Sequence, residues 1–251
     1  ATPAPVVTQL LATLSRDPRN TVYVVSGRER RFMEKWLGRL KVGLAAEFGF
    51  CHRAPGSEEW TSLGRDLDTS WKDVVRPIMQ YFAERTPGTY IESKESSLAW
   101  HYRDADPHFG AWQAKDMQIH MEDVMSTLPL EIIQGNRLVE VRHVGVNKSL
   151  VLEEVLRQGP RNGYDPPPPV RGEDSPAQEI PAEDFDFVLC VGDDRSDEDM
   201  YQLLKSWHAR RLDAMDHEDD RAPDLYNVHI GPGATHAEFC LESVVELRKI
   251  L

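Results

Sequence analysis

Hydrophobic positions change period several times along the chain, and each change predicts an element. Val6, Leu10, Leu11 and Leu14 recur at helical spacing before the turn at Asp17-Pro18, predicting a helix over 5–14. Thr21 to Val25, TVYVV, is β-branched and aromatic and stops at Ser26-Gly27-Arg28, after which residues 29–37 return to a helical period. That is a strand, a short polar turn and a helix. Residues 42–50 hold a second apolar segment. Trp60, Leu63, Leu67, Trp71, Val74, Val75, Ile78 and Phe82 then keep a mainly helical period, with a break expected at Pro77. Past Thr86-Pro87-Gly88 the period shortens. Strand-like runs over 89–94, 97–103, 130–134 and 138–144 surround a helix over about 110–127, which makes a compact α+β unit of the kind that folds as an insertion.

Residues 149–158 are helical in pattern. Residues 159–184 are rich in proline, glycine and charge and read as an extended surface loop. The apolar run from Phe185 to Val191 is short and β-rich, predicting a strand buried on both faces that ends where Gly192 lets the backbone turn. A helix over 201–212, a charged loop over 213–224, a strand over 225–230 and a terminal helix over 241–251 follow. Outside the insertion, strands and helices alternate, so the fold class expected is α/β with a mostly parallel, helix-covered sheet. The domains expected are a core over 1–86, an α+β cap over 87–145, and the rest of the core over 146–251.

Candidate chemistry gathers where strands end. After Gly192 come five acids in seven positions, Asp193, Asp194, Asp197, Glu198 and Asp199. Ser196 can cap a helix whose positive first turn takes the last three. Asp193 and Asp194 stand before that cap and repel each other unless a cation or proton intervenes, and Mg2+ held by one or two carboxylates plus a phosphate would relieve them. Ser26 offers a hydroxyl at a strand end, next to a helix start whose exposed N–H groups attract anions. Lys148 opens a helix against its dipole, either as a solvated lysine or as one contacting phosphate or a carboxylate.

The net charge of −13 disfavours a nucleic-acid binder, and three widely spaced cysteines form neither a disulfide framework nor a zinc site. No run of about 18 apolar residues occurs, so neither a membrane nor a nucleic acid is expected as partner. A reducing, cytoplasmic location is expected, and a start at Ala1-Thr2-Pro3 without Met reads as an excised piece.

Taken in order, the strand ending in Ser-Gly-Arg, the α+β insertion, GVNKS opening a helix and GDDRSDEDM after a strand resemble the haloacid dehalogenase phosphohydrolase superfamily from its second motif onward. The insertion sequence GTYIESKESSLAWHYRDADPHFG, with VEVRHVGVNKS, resembles the trehalose-6-phosphate phosphatases, and the long loop a fungal type. That resemblance implies a Rossmann-type parallel-sheet core with an inserted cap. It also implies Mg2+-dependent hydrolysis of trehalose 6-phosphate through an aspartyl-phosphate. Ser26 would bind the phosphoryl group with Arg28 nearby, and Lys148 would neutralise the nucleophile and phosphate. Asp193 would ligate Mg2+, with Asp194 beside it and Asp197 in support. Glu92, Lys94, Arg103 and Glu140 match cap positions that contact sugar hydroxyls or phosphate; without the resemblance they read as charge pairing across an exposed strand face. His101 reads as a packed or exposed strand residue.

The superfamily's first motif, Asp-x-Asp-Gly-Thr, which carries the nucleophile and the general acid and base, is absent from these residues. Either it lies upstream of Ala1, which the retained Ser26, Lys148, Asp193 and Asp194 favour, or the protein keeps the rim of a site as a regulatory module of a trehalose-synthesis complex. A phosphatase for another sugar phosphate, such as sucrose 6-phosphate, is the third reading.

Overall fold

A computed structural model describes residues 2–62, 68–159, 185–213 and 222–251, so the expected loops over 159–184 and 213–224 fall almost wholly outside the described residues. The first half of the core runs α1 (Pro5–Leu14), β1 (Tyr23–Val25), α2 (Arg30–Leu37), β2 (Gly43–Ala46), a 3-10 turn (Glu47–Gly49), β3 (Cys51–Arg53) and β4 (Trp60–Ser62). The α+β unit comprises α3 (Trp71–Arg85), β5 (Tyr90–Ser93), β6 (Ser97–His101), α4 (Pro107–Met125), β7 (Leu130–Gly135) and β8 (Leu138–His143). The second half of the core is α5 (Ser149–Gln158), β9 (Phe187–Gly192), a 3-10 turn (Arg195–Asp197), α6 (Glu198–Asp213), β10 (Asp224–Ile230), β11 (Phe239–Leu241) and α7 (Val244–Ile250).

The core strands form two half-sheets. In one, β1 pairs parallel with β2, and β3 and β4 extend it antiparallel; in the other, β9, β10 and β11 are all parallel. β1 and β9 are edge strands, and among the described residues each keeps one side of its ladder without a partner. This corrects the expectation that the apolar run before Gly192 is buried on both faces. β9 is half-buried to exposed along its whole length, and β1 is half-buried throughout, whereas β2 is fully buried. The carboxyl ends of the two half-sheets are linked through the start of α5, since Gly49, after β2, packs against Asn147 and Lys148 bonds Asp197, after β9.

The cap sheet is antiparallel, in order β5-β6-β8-β7, and its two faces differ in chemistry because strand side chains alternate. Leu98, Trp100, Val139 and Val141 point to one face, where they form a buried cluster with Trp71, Val75, Met79 and Phe82 of α3 and Ala114, Met117 and Met121 of α4. The other face carries Glu92, Ala99 and Glu140 in one row of the ladder and Tyr90, His101 and Leu138 in another. α3 thus packs with the cap cluster. The structure also differs from the expected helical period before residue 85: Trp60 lies in a strand, and the helix begins at Trp71 and runs through Pro77. Pro77 is tolerated there because it and Asp73, whose carbonyl loses its donor, both face solvent.

Candidate active site

The turn after β9 is built around Asp197. Its Oδ1 accepts from Lys148 Nζ at 2.6 Å, while its Oδ2 accepts from the backbone N–H groups of Asp193 and Asp194, each at 3.0 Å. Lys148 and Asp197 are both buried, so this pair joins the start of α5 to the end of β9 away from water. A lysine opening a helix thereby meets its counter-charge. Gly192 is required for the approach, because a Cβ there would collide with the Asp197 carboxylate. The cap of the acidic turn is Asp194, whose carboxylate accepts from Ser196 N at 2.9 Å; Ser196 is not the capping residue. Asp194 is therefore engaged with its own turn, and the Asp193 carboxylate is left exposed at the strand's carboxyl end.

Ser26 follows β1, its N–H bonded to Ala45 O and its Oγ accepting from Arg28 N at 3.2 Å. The Arg28 guanidinium lies 5.3 Å from the centre of the Trp36 ring, over the indole. What holds this loop next to the Lys148 turn is the 3-10 turn after β2. The Phe48 ring fills the space where Gly27 would carry a Cβ, and Gly49, at φ 92°, packs against Asn147 O and the backbone of Val151. Lys148 and Asp193 thus meet through Asp197, and Ser26 stands at the carboxyl end of β1, next to the turn that packs on Asn147.

Glu47 and Phe48 were not legible as functional residues in the sequence. Both have positive φ, 50° and 60°, a conformation that L residues hold only where surroundings enforce it. Here the enforcing partner is the cap. The buried Glu47 carboxylate accepts from Ser96 N at 2.8 Å, Ser96 Oγ at 2.7 Å and Glu95 N at 3.2 Å, and the Arg142 guanidinium sits 4.6 Å over the Phe48 ring. From the cap side, Lys72 Nζ holds the carbonyls of Lys94 and Glu95 at 2.7 and 2.6 Å. Glu47→Ala is expected to leave two buried donors and one half-buried donor unmatched and cost about 2–3 kcal/mol, read as a fall of several degrees in Tm. An unchanged melting curve would show that the cap turn does not depend on this carboxylate.

The expected cap residues divide. Lys94 Nζ binds Glu140 Oε1 at 2.8 Å and the core carbonyl of Gly27 at 3.2 Å, and Ser97 Oγ binds the same Glu140 oxygen at 2.6 Å. Glu92 accepts from His101 Nε2 at 2.8 Å, and that hydrogen bond outweighs burial to hold its carboxyl down to about 2. Lys94 lines a cleft of about 530 Å3 together with Glu29, Arg30 and Glu47, while Glu140 is buried against Lys94 and Ser97. Arg103 is different: it is exposed in the turn after β6, where Arg137 holds its carbonyl.

Cys51 and Cys190 are ruled out as nucleophiles, since burial pushes both thiols up to about 12. Among the described residues no three His, Cys, Asp or Glu side chains are placed to cage a metal. The exposed Asp193 carboxylate suits Mg2+ even so, because that ion takes one or two carboxylates and fills its octahedron with water and phosphate oxygens.

A core of parallel strands flanked by helices, with an inserted antiparallel α+β cap, defines a haloacid-dehalogenase-like fold. Within it, the chain belongs to the trehalose-phosphatase family, whose pattern matches residues 1–220. Trehalose-phosphatase of Schizosaccharomyces pombe is 39% identical over 206 residues, covering 81% of this chain and 23% of that protein. UDP-forming alpha,alpha-trehalose-phosphate synthase B of Dictyostelium discoideum is 39% identical over 204 residues, covering 81% and 23%. The chain thus spans about a quarter of the length of the curated relatives it matches. The C-terminal domain of Candida albicans trehalose-6-phosphate phosphatase superposes with a TM-score of 0.81 at 34% identity, covering 99% of this chain and 83% of that one. The C-terminal domain of the Candida albicans trehalose synthase regulatory protein shares the fold, with a TM-score of 0.76 at 18% identity, covering 97% and 85%. Among the described residues no helix is long and apolar enough to cross a membrane.

Proposed function

We propose that this chain belongs to a Mg2+-dependent phosphatase that hydrolyses trehalose 6-phosphate to trehalose and phosphate. The observation that carries the reading is the buried Lys148–Asp197 pair beside the exposed Asp193 carboxylate, with Ser26 at the end of β1 next to Gly27, whose carbonyl the cap's Lys94 holds. In this reading Ser26 and the N–H groups of its turn receive the phosphoryl oxygens. Lys148, held at the site by Asp197, offsets their charge, and positioned charge of this kind carries most of phosphoryl-transfer catalysis. Arg28 must leave Trp36 to join them. Asp193 would hold Mg2+, which supplies further charge neutralisation at the phosphate. Asp194 fixes the turn that aims Asp193.

The nucleophile is assigned to a segment upstream of Ala1, carrying Asp-x-Asp-Gly-Thr on a parallel strand between β1 and β9. The two edges, apolar yet incompletely covered, are what such a strand would pair with. Its carboxyl end would fall between Ser26 and Asp193, where an aspartate could attack phosphorus in line and water could later cleave the acyl phosphate. Glu92, Lys94 and Glu140 would take the disaccharide, carboxylates accepting from hydroxyl pairs and Lys94 donating. Arg103 would have to swing from its exposed turn. Because the packing of α3 lies with the cap sheet, we place the cap's start before Trp71 rather than at residue 87.

Phosphate release from trehalose 6-phosphate, compared with sucrose 6-phosphate and p-nitrophenyl phosphate, tests the assignment: selectivity for the trehalose ester is expected. Glu140→Ala should raise KM for that ester by about tenfold or more while changing p-nitrophenyl phosphate hydrolysis less than about threefold, because its contacts are to Lys94, Ser97 and the sugar and not to the phosphoryl group. Equal losses on both would remove Glu140 from the sugar site. A second reading, a sugar-phosphate-binding module without turnover in a trehalose-synthesis complex, draws support from the fold shared with the Candida albicans regulatory protein.

A further inference from the structure

His101 is joined to Glu92 in a way that strand packing alone does not require. The pair lies diagonally across β5 and β6, with Tyr90, not Glu92, directly opposite His101 in the ladder. The imidazole nevertheless reaches Glu92 Oε2 at 2.8 Å, and the Tyr90 ring stacks on it in a nearly parallel plane, 4.6 Å between centres and 11° apart. The imidazole is thus clamped on one face by an aromatic ring and at its edge by a carboxylate. At 16% exposure it is shielded, while the Glu92 side chain, at 27%, keeps part of its surface accessible. A carboxylate on a flexible two-carbon stem gains a fixed orientation from that donor.

We propose that His101 is a positioning residue for the sugar: it donates from Nε2 to Glu92 Oε2 and, held flat by Tyr90, fixes the carboxylate so that it can accept from a sugar hydroxyl. This rests on the reading of the polar cap face as the disaccharide site. Glu92 is the contact, and His101 acts through it.

Calorimetric titration of the full-length natural protein with trehalose 6-phosphate, in chelator so that no turnover intervenes, tests the proposal, with inorganic phosphate as a probe that does not touch the cap. His101→Ala is expected to weaken trehalose 6-phosphate about tenfold, the scale of one charge-assisted hydrogen bond, and to leave phosphate affinity within about twofold. His101→Gln, whose amide nitrogen can replace Nε2, should recover most of the loss. Glu92→Gln should weaken the ester by as much, and the double variant Glu92→Gln/His101→Ala no more than Glu92→Gln alone. If Glu92→Gln weakens the ester and neither His101 variant does, the positioning role is wrong while the sugar face stands. If Glu92→Gln has no effect, or the unsubstituted protein does not bind the ester, the sugar-face reading falls and this proposal with it. Parallel losses for phosphate and ester in both His101 variants would mark a merely structural residue and overturn it too.

Discussion

Asp193→Asn is expected to lower Mg2+-dependent turnover of trehalose 6-phosphate by about 10³-fold, the scale of removing a principal electrostatic group from a phosphoryl-transfer site. The prediction is severe because the substitution is otherwise mild. The Asp193 side chain is exposed, and what fixes the residue is its backbone N–H, which donates to Asp197 whatever the side chain carries. Asparagine keeps the shape and removes the charge that a carboxylate ligand for a hard divalent ion must carry. Tm should therefore stay within about 2 °C of the parent, since surface substitutions away from buried features are nearly neutral. Undiminished turnover would remove Asp193 from the metal site. A large fall in Tm would show that its carboxylate has a structural partner.

Lys148→Met is expected to damage both fold and activity. It leaves the Asp197 carboxylate buried with one oxygen unmatched, which costs about 3–5 kcal/mol, or about 10 °C in Tm for a chain of this size. The paired variant Lys148→Met/Asp197→Asn should recover part of that stability, because no uncompensated charge then remains, yet it should stay inactive. Thermal unfolding of the two single variants and the double variant reads the coupling. Independent, additive losses would mean that the 2.6 Å contact does not hold the turn after β9.

How much of this was legible in the sequence depended on whether the signal was local. The period of two in Tyr90 to Ser93 and Ser97 to His101 and the helical period of Ser149 to Gln158 are properties of short windows, and their elements form almost where the pattern puts them. The crowding of acids after Gly192 marked a strand end for the same reason. Which acid does what was not legible. Asp194 rather than Ser196 caps the turn because Gly192 lets the chain fold back on Asp197, a choice made by three residues at once. Glu47 and Phe48 stand outside any periodic pattern, and their positive φ depends on a cap turn that begins at Glu95, 48 residues beyond Glu47. The apolar composition of Phe187 to Gly192 pointed to burial on both faces, but composition cannot say which neighbour supplies it. That unsupplied neighbour is where the central claim lies.

The measurement that tests it most directly is phosphate release from trehalose 6-phosphate, with Mg2+ and with chelator, by the 251-residue chain and by a version extended upstream by roughly thirty residues, enough for a strand and its turns. Turnover is predicted in the extended protein supplied with Mg2+ and nowhere else, with the extended form also melting at higher temperature, because a paired strand covers the edges of β1 and β9. Turnover by the 251-residue chain alone, or binding without turnover in both forms, would contradict the account.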